Sequence, residues 1–174
     1  MADTDTTDPT IAFRKGDPSD ILRRAFGCFA TGVTIVTALG DDGVPVGLTV
    51  NSFTSVSLDP PLLLVCPARD AGSTMALENA DRFAVSVLGD DAHELSTLFA
   101  AKGRDRFAQG EWSSFEGGAP YLDHALAAFD CRVHEVYEGG DHLILVGEVE
   151  NARFRENENP LLYYRGSYHL IGER

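Results

Sequence analysis

The chain has 174 residues, 44% of them hydrophobic and 24% charged, which suits one domain with a full core. Its net charge of −13 argues against a general nucleic-acid or anionic-membrane binder, because phosphate contacts need an excess of Lys and Arg. No apolar run reaches the roughly 18 residues that a membrane helix needs, and the polar start MADTDTTDPT lacks the basic and apolar regions of a secretory signal.

In chain order, residues 1–18 are expected as a disordered acidic tail and 19–174 as a single domain. SDILRRAFGCFA, 19–30, has Ile21, Leu22, Ala25, Phe26 and Phe29 at helical spacing, with Ser19 as N-cap, Arg23 and Arg24 on the wet side and Gly27 as a weak point. From Val33 the period changes to strands: VTIVTAL, a GDDG turn, VPVGLTVNSFTSVS, then PLLLVCPA, read as a meander of three. GSTMALENA, 72–80, predicts a helix that Ser73 can cap, RFAVSVL a strand, and DDAHELSTLFAAKG, 90–103, a second amphipathic helix. Residues 104–127 read as a long irregular loop, a length that suits a lid, a partner surface or a binding loop. AFDCRVHEVYEGGDHLILVGEVENARF alternates through two strands hinged at EGGDH, and PLLYYRGSYHLI closes the chain. Mostly sequential strands without regular strand–helix alternation predict a mainly β fold: an antiparallel sheet, closed or partly closed, with peripheral helices.

Three separated cysteines (Cys28, Cys66 and Cys131) and no C-x-x-C pair fit reduced thiols and a cytoplasmic location. There is no Rossmann fingerprint, Walker loop, H-E-x-x-H or G-x-S-x-G, and the five histidines are scattered, so no metal site is expected. Any chemistry is expected from a bound organic cofactor. The stretch VNSFTSVS, 50–57, stands out because it carries five small hydrogen-bonding side chains in eight residues. Donors occur on both faces of the strand: Thr49, Asn51, Ser55 and Ser57 on one, Ser52 and Thr54 on the other. Either this is an exposed Ser/Thr-rich edge, or a bulge or strand end near 51–55 lets the donors converge on a flat ligand. Likewise, Ser73 with Gly72 and Arg69 either caps a helix or presents its N-terminus to an anion.

The segment 31–66, with RFAVSVL, GGDH followed by VGEV, and PLLYYRGSY in this order and spacing, resembles the flavin reductase family with the FMN-binding split-barrel fold. The likeness runs from about Asp20 to Ile171. It implies a Greek-key antiparallel split β-barrel and a homodimer with flavin near the subunit interface. It further implies an NAD(P)H:flavin oxidoreductase that takes FMN or FAD, with NADH or NADPH as hydride donor, and supplies reduced flavin to a partner monooxygenase. By the same resemblance Gly47, Leu48, Thr49, Asn51 and Ser52, with Ser55, meet the flavin. Cys66, Pro67 and Ala68 close over it, Gly72 and Ser73 hold its phosphate, and Lys102 and Phe107 lie near its tail. His142 of the GGDH turn is the implied nicotinamide contact, with Tyr164, Arg165 and Tyr168 as a wall for the dinucleotide. Hydride transfer then needs no side-chain nucleophile; the protein stacks two rings and excludes water. Two other readings stay open: a flavin carrier without reductase activity on the same barrel, and a small barrel that binds an apolar ligand or a partner.

Overall fold

The computed structural model describes residues 10–103 and 105–172. The first nine residues of the expected tail lie outside them; 10–18 are exposed, with a turn in which the Arg14 N–H donates to the Asp17 carboxylate at 2.8 Å. The elements are α1 (Ser19–Phe26), β1 (Thr31–Gly32), β2 (Thr34–Leu39), β3 (Pro45–Val50), β4 (Thr54–Leu58) and β5 (Pro61–Val65). There follow α2 (Thr74–Asn79), β6 (Arg82–Val87), α3 (His93–Ala100), β7 (Trp112–Ser114) and β8 (Pro120–Leu122). The chain closes with β9 (Ala127–Gly139), β10 (His142–Phe154), β11 (Leu162–Tyr164) and β12 (Ser167–His169). No helix among the described residues is long and apolar enough to cross a membrane.

Seven strands form one antiparallel sheet in the order β3-β2-β6-β9-β10-β5-β4. The expected three-strand meander is corrected here. The segment read as one strand over 44–57 breaks at Asn51–Phe53, and its halves, β3 and β4, sit on opposite edges of the sheet. Laid flat, six interstrand gaps of about 4.8 Å would hold those edges about 29 Å apart. The four Cα steps from Val50 to Thr54 reach at most about 14 Å. The sheet therefore curls until its edges meet, which makes it a split barrel with its seam at 51–53.

The pattern of β2 shows how the barrel is filled. Thr34–Ala38 are all buried because each face of the strand has its own cover. Val36 and Ala38 face an inner cluster with Leu48, Val65, Phe83 and Leu145. Val33 and Ile35 face an outer cluster in which Phe99 of α3, Leu122 and Leu161 cover the sheet. The stretch read as an irregular loop over 104–127 contains the β7–β8 hairpin, which lays Trp112 and Leu122 against Phe99. The short strand β11 pairs with β1 on one side and β12 on the other in a separate sheet.

Helix boundaries differ from the expectation in instructive ways. α1 stops at Phe26, where the Gly27 N–H bonds the Arg23 carbonyl at 2.9 Å, rather than running on to Ala30. Pro18, not Ser19, precedes the helix, and no side chain caps it. α1 also buries none of its residues, and Phe26 and Phe29 are 69% and 78% exposed. α3 is shorter than 90–103 at both ends, so Asp90, Asp91 and Lys102 lie outside it.

Gly147 is the most tightly enclosed of the glycines. A Cβ there would stand 2.4 Å from Cζ of Phe83 and 2.8 Å from Cβ of Cys131, both rigidly held in the core. Gly147→Ala is expected to cost about 1–3 kcal/mol by overpacking, seen as a lower urea midpoint with an unchanged slope.

Candidate functional site

A cleft of about 610 Å³ opens where the barrel is split. The second half of β3 and the link at Asn51–Ser52 form one wall, and the exit of β5 from Cys66 to Ala68 forms the other. Phe99 at the end of α3 and Leu48 supply apolar surface, and Asp70–Gly72, Lys102, Arg106, His142 and Phe26 complete the lining.

The wall made by β3 is a sheet edge, because β3 pairs only with β2. The Gly47 carbonyl points away from β2, since it accepts from Ser73 Oγ at 2.8 Å and from the Arg106 guanidinium. Alternation in an antiparallel ladder puts the backbone groups of Thr49 on that same open edge. Their N–H and C=O are therefore offered to the cleft, as buried backbone polar groups require a partner.

Most of the hydroxyls in this region are engaged within the protein. Ser52 Oγ accepts from the Cys66 N–H at 2.8 Å and donates to the Cys66 carbonyl at 3.3 Å, which carries the β4–β5 register past the start of β4 and ties the 51–53 link to the exit of β5. Thr49 Oγ1 donates to the Ser96 carbonyl at 2.7 Å and so ties β3 to α3. Ser73 makes no cap bond to its own helix; it is buried, and its hydroxyl serves Gly47. The break at 51–53 and a bulge at Ser55/Ser57 are the strand end and irregularity that the Ser/Thr pattern pointed to.

The residues singled out in the sequence therefore fall into two groups. Leu48, Thr49, Asn51, Ser52, Cys66, Ala68, Gly72, Lys102 and His142 line the cleft. The others lie around it. Gly47 is beneath the wall, where a Cβ would come within 2.9 Å of Phe99 Cε1. Pro67 is buried, and its carbonyl accepts from the Leu143 N–H at 3.0 Å. Ser55 is exposed on β4. Phe107 packs behind the cleft on Phe99 and Trp112, with ring centroids 5.2 and 4.9 Å away. Tyr164 and Arg165 form the tip of the β11–β12 hairpin; Arg165 has φ 50°, stacks over the Tyr164 ring and bonds the Gly27 carbonyl at 2.8 Å through its N–H. Tyr168 shares a hydrogen bond of 2.8 Å with Ser96 and borders a separate depression with Asp90 and His169.

Arg106 is the functional candidate that sequence reasoning missed. Its guanidinium bonds the carbonyls of Gly47 and Ala101 and the Ser73 hydroxyl, all neutral groups, while its Nε is buried without a partner. The segment KGRDR places three cations in five residues beyond the helix, and spacing alone did not say which turns inward. Lys102, in contrast, stands at the mouth within 3.3 Å of Asp70, and both side chains are exposed.

Across the cleft, the β9–β10 turn is fixed to the exit of β5. The Arg69 N–H bonds the Asp141 carbonyl at 3.0 Å, Ala68 bridges His142, and the Arg69 guanidinium pairs with Glu138. His142 Nδ1 lies 2.7 Å from Asp141 Oδ1, and that bond holds the Asp141 carboxyl below its ordinary range. Burial pushes the Cys66 thiol up, partly offset by the hydrogen bond with Ser52. The wholly buried Cys131 thiol is pushed up to about 12, chiefly by burial.

The family model for a flavin reductase like domain matches residues 26–172. The reductase component of the flavin-dependent trigonelline monooxygenase of Acinetobacter baylyi is 47% identical over 150 residues, which are 84% of this chain and 47% of that protein. The chain thus spans about half the length of that relative. It spans 86% of the FMN reductase (NADH) SmoA of Agrobacterium fabrum, with 43% identity over 153 residues and 88% of this chain covered. Among solved structures, the NADH:FAD oxidoreductase SgcE6 of Streptomyces globisporus C-1027, in complex with NAD and FAD fragments, superposes with a TM-score of 0.84 at 42% identity. That match covers 90% of this chain and 95% of the other.

The planar fork of Arg106 reaches three acceptors on separate segments, which a lysine cannot do. Arg106→Ala is expected to lower stability by about 1.5–3 kcal/mol in urea denaturation, and Arg106→Lys to recover less than half of the loss.

Proposed function

The chain belongs to the flavin reductase like domain family, and from that premise we propose that it is an NAD(P)H:flavin oxidoreductase that supplies reduced FMN or FAD to a partner monooxygenase. One observation carries the reading. Residues that the family resemblance implies, scattered over 48–52, 66–72, 102 and 142, line a single cleft.

The cleft suits a flavin by its own chemistry. Its volume lies within the range of about 300–1,000 Å³ typical of small-molecule sites. An open strand edge offers coplanar backbone groups, the need of a flat ring whose rim is rich in acceptors. Arg106 adds a cation with a buried, unpartnered Nε and only neutral acceptors, the need of an anionic tail. When bound, flavin supplies a reversible two-electron hydride acceptor.

The chain's own residues then have distinct tasks. The backbone of Thr49 and the Asn51–Ser52 link orient the ring by hydrogen bonds, and such donors also stabilise negative charge that develops on it. Leu48 and Phe99 keep water from the ring. Arg106 and Lys102 hold the phosphate end, with Gly72 allowing close approach. His142, on the opposite lip, meets the nicotinamide coenzyme. Tyr164 and Arg165, at the hairpin tip that bonds Gly27 beside Phe26, and Tyr168, at a separate depression, would meet the dinucleotide only outside the cleft.

The same reading includes a homodimer. α1 and the turn that follows it leave Phe26 and Phe29 exposed with no cover among the described residues, and Phe26 also lines the cleft, so a second copy seated there would close the site. Three free thiols suit a cytoplasmic location.

Oxidation of NADH and NADPH should be followed with FMN, FAD and riboflavin in turn. Turnover is expected with FMN or FAD, with riboflavin bound more weakly because it lacks the phosphate. A tightly held flavin without coenzyme oxidation would show a carrier instead. Bound FMN should slow alkylation of Cys66 and leave that of the exposed Cys28 unchanged. His142→Ala is expected to raise KM for the coenzyme by about tenfold, the loss of about one hydrogen bond, with flavin affinity unaltered.

A further inference from the structure

We propose that Asp141 is a positioning residue for His142: it fixes the imidazole tautomer so that Nε2 faces the cleft as a hydrogen-bond acceptor. The inference rests on the placement of His142 at the coenzyme, but it can be judged separately.

The geometry carries it in two steps. His142 Nδ1 and Asp141 Oδ1 are 2.7 Å apart. An ionised carboxylate only accepts, so Nδ1 carries the hydrogen, and in the neutral ring Nε2 is left with its lone pair. The Asp141 carboxyl is held below its ordinary range, first by this same hydrogen bond, so it is ionised at neutral pH. The backbone, in turn, cannot roll the pair out of place. Gly140 takes the turn at φ 77°, the Asp141 carbonyl accepts from Arg69 N–H, and Leu143 N–H donates to Pro67. His142 is thus held at a lip of the cleft with one nitrogen engaged outside it.

The charged groups around the pair come from four other segments: Arg23 of α1, Arg69 and Asp70 of the β5–α2 link, Glu138 of β9, and Lys102 after α3. Arg69 is paired with Glu138 and Lys102 with Asp70, so Asp141 is the carboxylate in direct contact with the imidazole. An acceptor at Nε2 matches the carboxamide N–H₂ of a nicotinamide ring. The opposite tautomer would present a donor there and match the carboxamide oxygen instead.

The test reads the tautomer in flavin-free protein by ¹⁵N NMR of the imidazole nitrogens, with His142→Ala identifying the resonances among the five histidines. In the wild type, His142 is expected with Nδ1 protonated and Nε2 bare once the ring is neutral. Asp141→Ala should shift it to a mixture or to the opposite form, while Asp141→Asn, whose amide oxygen still accepts, should retain the wild-type form. Asp141 is almost wholly exposed, so neither change threatens the fold. With flavin bound, Asp141→Ala should raise KM for the coenzyme by about tenfold with kcat little changed, and Asp141→Asn should restore it. An identical tautomer in wild type and Asp141→Ala overturns the proposal, as does an Asp141→Asn enzyme no better than Asp141→Ala. If His142→Ala leaves the coenzyme KM unmoved, the placement of His142 at the nicotinamide falls, whatever the NMR shows.

Discussion

Three residues, Asn51–Phe53, must join strands that lie six neighbours apart in the sheet, and the fold is bent to that requirement. A curled sheet whose edges are brought together but not hydrogen-bonded leaves two rows of backbone polar groups facing one another. Such edges are a liability in most proteins because they invite pairing with another chain. Here part of the need is met inside the protein, by Ser52 at the exit of β5 and by Ser73 and Arg106 at Gly47. What is left unmet at Thr49 and the link becomes the wall of the cleft. The candidate site and the structural defect of the barrel are therefore the same feature.

Electrostatics sharpen that wall. The chain carries a net charge of −13, and at the rim of the cleft Lys102, Arg69 and His142 each stand beside a carboxylate. These exposed pairs are worth little in stability, but they cancel positive charge at the mouth. Arg106 is different, since among the described residues it meets only carbonyls and a hydroxyl. Positive charge is thus concentrated on the inner part of the cleft, in an acidic protein that otherwise repels anions. An anionic ligand gains most when it is fully seated.

Much of this was legible in the residues. The change from helical to alternating period at Val33, the GDDG and EGGDH turns, and the Ser/Thr excess over 50–57 all report local backbone preferences, and all correspond to features of the fold. The break at 51–53 was visible only as an oddity, because what splits that strand is the long-range pairing of β10 with β5, which no window of sequence contains. Arg106 stayed hidden for a related reason. Its partners, Gly47 and Ser73, lie 59 and 33 residues away. The role of Ser73 was ambiguous locally, as cap or anion ligand, and tertiary contact gave it a third use. α1 shows the opposite limit: its apolar spacing foretold a buried face, yet among the described residues Ile21 and Leu22 are only half-buried and Phe26 is exposed.

A wall built from main-chain groups has an evolutionary corollary. Substitution replaces side chains and leaves peptide units where they were, so a pocket of this kind is passed on even as its surroundings drift. The residues under tightest constraint are then those that set the path of the chain, such as Gly47 and Gly147, where even a methyl group collides with neighbouring atoms. Variation at the rim of such a barrel can then change what docks there while the main-chain wall keeps its shape.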